Sequence, residues 1–466
     1  MRGHAQTLEE LERNAPATFI DGVESYIYGY PLLMFGVTGR TGTTVPDDHT
    51  RLGAAPLNQF GKEMVLPNST FNAVVLPSTT TLYASSFLNL KSEPVILHIP
   101  SVDRFFILQM LDAWTEVSPI SPGSRLHSQE GDYALVGPDF TEEIPETVHT
   151  VIKMPTNSMW IIGRFYTTGT TADIDDVKNS IYPGLTLTPL SKYIKPPYNK
   201  PDDLPLDPIV DYITPPLAQV AAMDACAFFG NMGAMMQYNL PIAKQDDDIL
   251  PKLTGVGLKP GDPFDCTKDA TKLPTLQLAV AAARGFLNHA PTPPETRTGW
   301  TVSLNVGTYG DHYLLRAEVA QWALGANNPE DAVYGYTEND GTGADLDGTK
   351  NYKLHFDPPG NREGIPPVNG FWSLTIYDKD GKLVKNDAVS YNALGGAMVQ
   401  GHSACFNADG SMDIYVQPNR PSGGVALCNW LPTPNTPDKF IFFLRMYWPK
   451  EAILHRLWVP PPIVKN

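Results

Sequence analysis

Basic residues, cysteines and long apolar runs are scarce in this chain, and each scarcity removes a class of function. Lysine and arginine number 34 against 50 aspartates and glutamates in 466 residues, a formal net charge of −16. Such a surface repels phosphate backbones and anionic lipid, so nucleic-acid binding is not expected. No run approaches the roughly 18 apolar residues needed to span a bilayer, and the opening MRGHAQTLEELERNAPATF lacks the apolar core of a signal peptide. No membrane insertion is expected, and the chain reads as soluble, either cytoplasmic or secreted with its leader removed. The four cysteines (Cys226, Cys266, Cys405 and Cys428) include no CxxC pair and are too few for a disulfide-dense scaffold. Cys405 and Cys428 flank neighbouring predicted strands and could bridge; two separate buried thiols are the alternative.

The ten histidines include no i, i+2 or i, i+4 pair on a predicted element, so no metal site is expected. In GTGADLDGTK (341–350) Thr349 stands where a phosphate loop needs lysine, and neither GxGxxG nor GxSxG occurs. Nucleotide and serine-hydrolase readings lose support, and no cofactor is expected. Calcium is a side expectation at three Asp-Gly loops carrying Asp345 and Asp347, Asp378 and Asp380, and Asn407 and Asp409. Each lacks the first acid of a calcium loop, which favours plain hairpin turns.

What is present is ample material for buried cores, 42% apolar and 10% aromatic. At about 150 residues per domain, the length suggests on the order of three. Apolar positions at Ile20, Val23, Ile27, Tyr30 and Met34 form a helical stripe over 18–35, which Pro31 would kink or end early. From 64 to 166 the period becomes two, as in MWIIGRFY (159–166), and predicts a β-sandwich. Seven prolines within 194–216 mark a stiff connector, followed by helical periods over 217–238 and 276–290. After a short helix near 311–324, FWSLTIYDKDGKLVKND (371–387), DGSMDIYV (409–416) and KFIFFLRMYWPKE (439–451) read as hairpin-linked strands of a jelly roll. The expected fold is thus mainly β with a helical subdomain: residues 1–195, 196–300 and 301–466. No internal repeat of fixed period is visible.

The segments YGDHYLLRAEVAQWALGANNPEDAVYGY (309–336), DLDGTKNYKLHF (345–356), IPPVNGFWS (365–373) and WVPPPIVK (458–465) resemble the family that pairs domain of unknown function 1254 with domain of unknown function 1214. YIYGYPLLMF (26–35), PSTTTLYASSFLNL (77–90) and EPVILHIPSVDRFFILQMLDAWTE (93–116) extend the resemblance into the N-terminal half. The family's PNxDTLYS-like segment has Ser78 and Thr80 here in place of Asn and Asp, and Ser390 precedes Tyr391 where the family has Arg. A divergent ligand or reaction is implied if those residues carry the family's chemistry.

Candidate chemistry gathers in these segments. Asp311, His312 and Arg316 fall within little more than one helical turn, a carboxylate and imidazole suited to acid/base work and a guanidinium suited to an anion. The structural alternative has Arg316 tying its helix to the sheet. Arg445, set in the apolar run FIFFLRMYW, must be paired or line a wet cavity. Trp372, Tyr391, Trp430 and Trp448 offer an aromatic platform, with Asn386 and Asn429 at its edge, and burial in the core is the alternative; Tyr313, beside His312, is a further ligand-binding candidate. Tyr83, Asp112 and Trp114 lie at predicted strand ends and could face the second domain. The preferred expectation is an enzyme acting by acid/base chemistry, whether hydrolysis, elimination, isomerisation or cyclisation, on a small organic or sugar-like molecule in an inter-domain cleft. The alternatives are a non-catalytic carbohydrate- or ligand-binding protein and a self-assembling structural protein. A homo-oligomer is a further possible association.

Overall fold

The computed structural model describes residues 16–44, 53–70, 76–200, 210–288, 298–385 and 388–466. Its N-terminal half alternates short apolar strands with Pro and Gly turns, which build two four-stranded sheets. The strands are β1 (Gly61–Lys62), β2 (Thr81–Asn89), β3 (Val95–Ile99), β4 (Phe106–Asp112), β5 (Gly131–Val136), β6 (Thr150–Lys153), β7 (Ser158–Tyr166) and β8 (Thr186–Pro189). They are ordered β1-β2-β7-β4 and β6-β5-β3-β8. Alternation sends Leu82, Leu108, Ile161 and Phe165 of the first sheet against Val95, Leu97, Leu135 and Leu187 of the second, forming a sandwich core.

The C-terminal module contains β9 (Thr301–Ser303), β10 (Ala332–Thr337), β11 (Tyr352–Phe356), β12 (Trp372–Asp378), β13 (Ala393–Gly395), β14 (Met412–Val416), β15 (Trp430–Leu431), β16 (Phe440–Tyr447) and β17 (Ile463–Lys465). Sheets β13-β12-β16-β10-β9 and β15-β14-β11-β17 enclose Leu374, Phe442, Leu444 and Met446 against Leu354, Phe356, Ile414 and Ile463. Because β10, β11 and β12 fall in alternate sheets, the module is jelly-roll-like.

The two sandwiches repeat one another, contrary to the expectation of no repeat. The neighbours β1-β2-β7-β4 correspond to β9-β10-β16-β12, and β6-β5-β3-β8 to β15-β14-β11-β17. The one parallel pairing of each, β5 with β6 and β14 with β15, also corresponds. Register agrees residue by residue: Tyr83 faces Arg164 as Tyr334 faces Arg445, and His98 faces Asp132 as His355 faces Asp413. Both His–Asp pairs are bonded through Nδ1, at 2.7 and 2.6 Å. Of these strands β13 alone lacks a counterpart.

Helices form a third layer: α1 (Ala17–Thr43), α2 (Pro216–Ala222), α3 (Ala225–Met236), α4 (Leu250–Val256), α5 (Leu273–Leu287) and α6 (Tyr313–Trp322). The N-terminal helix, grouped by sequence with the first sandwich, packs on all five others. It also passes through Pro31 instead of ending there. An internal proline costs about 3 kcal/mol, but Tyr26, Tyr28, Tyr30, Leu32, Leu33 and Phe35 are all buried around it. Apolar burial of several large side chains outweighs that cost. Gly22 and Gly29 allow the close approach, since a Cβ at Gly22 would stand 2.7 Å from that of Ala279 and one at Gly29 would strike Met232. Disulfides join Cys226 to Cys266 and Cys405 to Cys428. No helix among the described residues is long and apolar enough to cross a membrane.

Candidate functional site

The outer face of β7 carries Trp160, Ile162, Arg164 and Tyr166, because alternate residues Ile161 and Phe165 point into the sandwich core. One end of this face lies under the helical layer, where Phe87 stacks on Trp160 at 4.7 Å and meets Phe35 at 5.4 Å. The other end lies under the second sandwich, with Tyr166 and Phe105 against Phe371 at 4.5 and 5.5 Å. On β16 the matching face carries Phe443, Arg445 and Tyr447, while Leu444 and Met446 fill the core. The outer faces of equivalent sheets therefore meet along a seam.

At mid-seam stand two guanidiniums, Arg164 at 6% exposure and Arg445 at 4%. Arg164 Nη1 donates to Gln109 Oε1 at 2.5 Å and to Asn327 Oδ1 at 3.0 Å, and its carbon lies 5.4 Å from the Tyr83 ring. Asn327 in turn donates to the Tyr334 hydroxyl at 2.7 Å. Arg445 donates to Thr375 Oγ1 at 3.3 Å and to Leu76 O at 2.7 Å, and lies 4.4 Å from the Phe443 ring. Tyr377 donates to Pro77 O at 2.6 Å, closing this end of the seam. Among the described residues neither arginine has a carboxylate within ion-pair distance; Asp331, which feels Arg164, is itself held by Arg125 at 2.5 Å. Arg164 Nε, Tyr447 Oη and Ser373 Oγ are buried without a hydrogen-bond partner. Burial holds the Tyr334 and Tyr447 phenols above their ordinary pKa, so both remain protonated donors. Tyr83, Tyr334 and Phe443 on the seam are partly exposed.

The structure brings only Arg445 and Tyr83 of the sequence candidates to this seam. Arg316 is fully buried in the helical layer, 3.5 Å from Glu116 and between the rings of Tyr28, Trp114 and Tyr313. Glu116 also accepts from Tyr309 N and Gly310 N, so this pair ties α6 to the turn after β4. Asp112 and Trp114 belong to the same junction: Asp112 Oδ1 accepts from the backbone of Trp114 and Glu116, and Trp114 Nε1 donates to Leu240 O. Burial, then neighbouring Glu116, raises the Asp112 carboxyl to about 7. Asp311 and His312 are exposed at the start of α6, on a groove of about 620 Å³ lined by helical-layer and loop residues. The imidazole and Arg316 thus share no open space with each other or with the seam.

The aromatic platform is not assembled. Trp372 is core, 5.2 Å from Phe356, and Trp430 is buried with its Nε1 donating to Gln417 O. Tyr391 stacks on His402 at 4.1 Å, and Asn429 is occupied by Cys405 and Asp413 backbone. Trp448 lies 5.6 Å from His127. Asn386 lies outside the described residues. At the Asp-Gly loops Asp347, Asp378 and Asp409 accept from amides two residues onward, as turn carboxylates do. Sequence reasoning missed Arg164, Asn327, Tyr334 and Tyr447. Arg164 carried the signal that found Arg445, a guanidinium in an apolar strand.

Two sandwiches of like topology, four sheets in all, and a helical layer make this a β-rich protein with a helical subdomain. The chain belongs to the family that pairs "Protein of unknown function (DUF1254)", matched at residues 57–189, with "Protein of unknown function (DUF1214)", matched at 331–451. The VPA0106 protein from Vibrio parahaemolyticus is similar in fold, with a TM-score of 0.70, 21% identity, and 96% of this chain and 100% of that one covered. An uncharacterised protein from Burkholderia cenocepacia aligns at a TM-score of 0.42 and 10% identity over 95% of this chain and 88% of its own. No curated protein matches.

Proposed function

We propose that the protein binds a small organic molecule through an oxyanion group in the seam between its sandwiches and acts on it by acid/base chemistry. The observation that carries this is a pair of buried guanidiniums without carboxylate partners among the described residues. A buried charge left uncompensated is destabilising, and an anionic ligand would supply the missing partner. Protonated phenols beside the guanidiniums would donate to a developing oxyanion, which is the acid half of an isomerisation, elimination or cyclisation. The base half has no protein candidate in contact with Arg164, Arg445, Tyr334 or Tyr447 among the described residues. That observation favours a second reading, a binding protein without turnover. The disulfides support an oxidising compartment.

Native mass spectrometry of the purified chain tests the proposal. A bound organic acid should be seen in the wild type and be absent from Arg164→Gln/Arg445→Gln protein of unchanged circular dichroism. Retention of the same ligand by the double variant removes the seam as its site. Conversion of the ligand on incubation would separate the catalytic reading from the binding one.

A further inference from the structure

The duplication bears on how many anionic groups the seam is built to take. Each repeat contributes one arginine from its central strand, and cross-strand to it one tyrosine, Tyr83 or Tyr334. The residue two positions further along is also kept, Tyr166 matching Tyr447. So is the side chain that accepts from the arginine, Gln109 Oε1 in one repeat and Thr375 Oγ1 in the other. The polar constellation is therefore present twice in one chain, once on each wall. Both copies address one space: Arg164 and Arg445 each interact electrostatically with Tyr83, Tyr334 and Tyr447. Asn327 bridges them further, accepting from Arg164 and donating to Tyr334, the cross-strand partner of Arg445.

We propose that the seam takes a small dianion, such as a dicarboxylate, one oxyanion on Arg164 and the other on Arg445. The inference rests on the oxyanion reading above and adds the ligand's valence. A single carboxylate would offset only one of the two buried positive charges, whereas a dianion offsets both and gives each repeat its own oxyanion. Gln109 and Asn327 both take Arg164 Nη1, Thr375 and Leu76 O take one terminal nitrogen each of Arg445, and the unpartnered Nε of Arg164 marks a donor still free for a ligand oxygen.

Isothermal titration of the full chain with straight-chain dicarboxylates from malonate to adipate, each against the monocarboxylate of equal length, tests this at low salt. At one chain length the dicarboxylate is expected to bind at least about tenfold more tightly than its monocarboxylate. Arg164→Gln and Arg445→Gln should each abolish that preference and leave the two probes equal. The wild-type series decides the matter even where a variant fails to fold. Equal binding of mono- and dicarboxylates at every length overturns the two-ended ligand and leaves the oxyanion reading standing. Absence of binding by every carboxylate overturns both.

Discussion

Glu63 gives the most direct test of the electrostatics beneath the seam. It is 5% exposed, and its Oε2 accepts from Tyr83 N at 2.9 Å while its own N–H bonds to Tyr83 O at 2.8 Å. Oε1 has no partner. Burial raises the carboxyl from 4.5 to about 8, against the weaker opposing effect of the Tyr83 amide. Between those values the folded chain holds a proton that the unfolded chain has released, so stability falls as pH rises through this window. At about 1.4 kcal/mol per pH unit, the full fall is bounded at about 5 kcal/mol. For a unit the size of the first sandwich that corresponds to a Tm decrease on the order of 10 °C between pH 5 and 9. Glu63→Gln retains the acceptor for Tyr83 N and cannot ionise. Calorimetric scans at half-unit pH steps should show the variant matching wild type near pH 4.5 and exceeding it progressively to pH 8. Coincident Tm values for the two proteins at pH 9 would refute the assignment of a buried, protonated Glu63.

Asp112→Asn should abolish a second fall in stability, of about 4 kcal/mol at most, between pH 3.8 and the folded value of about 7. The same scans read it, and an unchanged profile would count against a neutral Asp112. Arg316→Met should cost about 2 kcal/mol in urea denaturation by removing the charge partner of half-buried Glu116, which keeps its two amide donors, whereas His312→Ala at an exposed position should stay within about 0.5 kcal/mol and leave seam binding unchanged. Loss of ligand binding or turnover on His312→Ala would restore the acid/base role that spacing suggested for this helix. Removing Cys405–Cys428, separated by 23 residues, should lower stability by about 3 kcal/mol, and Cys226–Cys266, separated by 40, by about 4. A thermal shift with and without reductant on single-pair variants checks both.

The strands and most helices were legible because a period of two or of three to four survives in each segment. Arg445 was legible for a local reason, as a charge among aromatics. The placement of Trp372 and Trp430 was not, because alternation shows that a strand has two faces without saying what covers each. Here both faces of β12 and β16 are covered, one by the sandwich core and one by the seam. The repeat is not legible in the sequence because its copies share shape more than identity. Leu135 corresponds to Val416, Leu187 to Ile463 and Gln109 to Thr375, and the loops between equivalent strands differ in length. Pro31 misled for a related reason: helix breaking is a local preference, and burial on all sides overrides it.

The strongest argument for a ligand in the seam is what the fold supplies elsewhere. The chain has 50 acidic residues for 34 basic ones, so carboxylates are plentiful as partners for a buried arginine. Arg104 has three, Arg125 holds Asp331, and Arg316 reaches Glu116. On the outer sheets both repeats place an aspartate opposite a histidine and bond the two. The same duplicated scaffold that provides those acids provides none at Arg164 or Arg445 among the described residues, although Ile107 and Ser373 occupy the cross-strand positions where one would fit. A purely structural guanidinium there would gain from an aspartate at either position in charge pairing and in hydrogen bonds. Its omission on both walls leaves two buried positive charges that an anionic ligand, as proposed above, would offset.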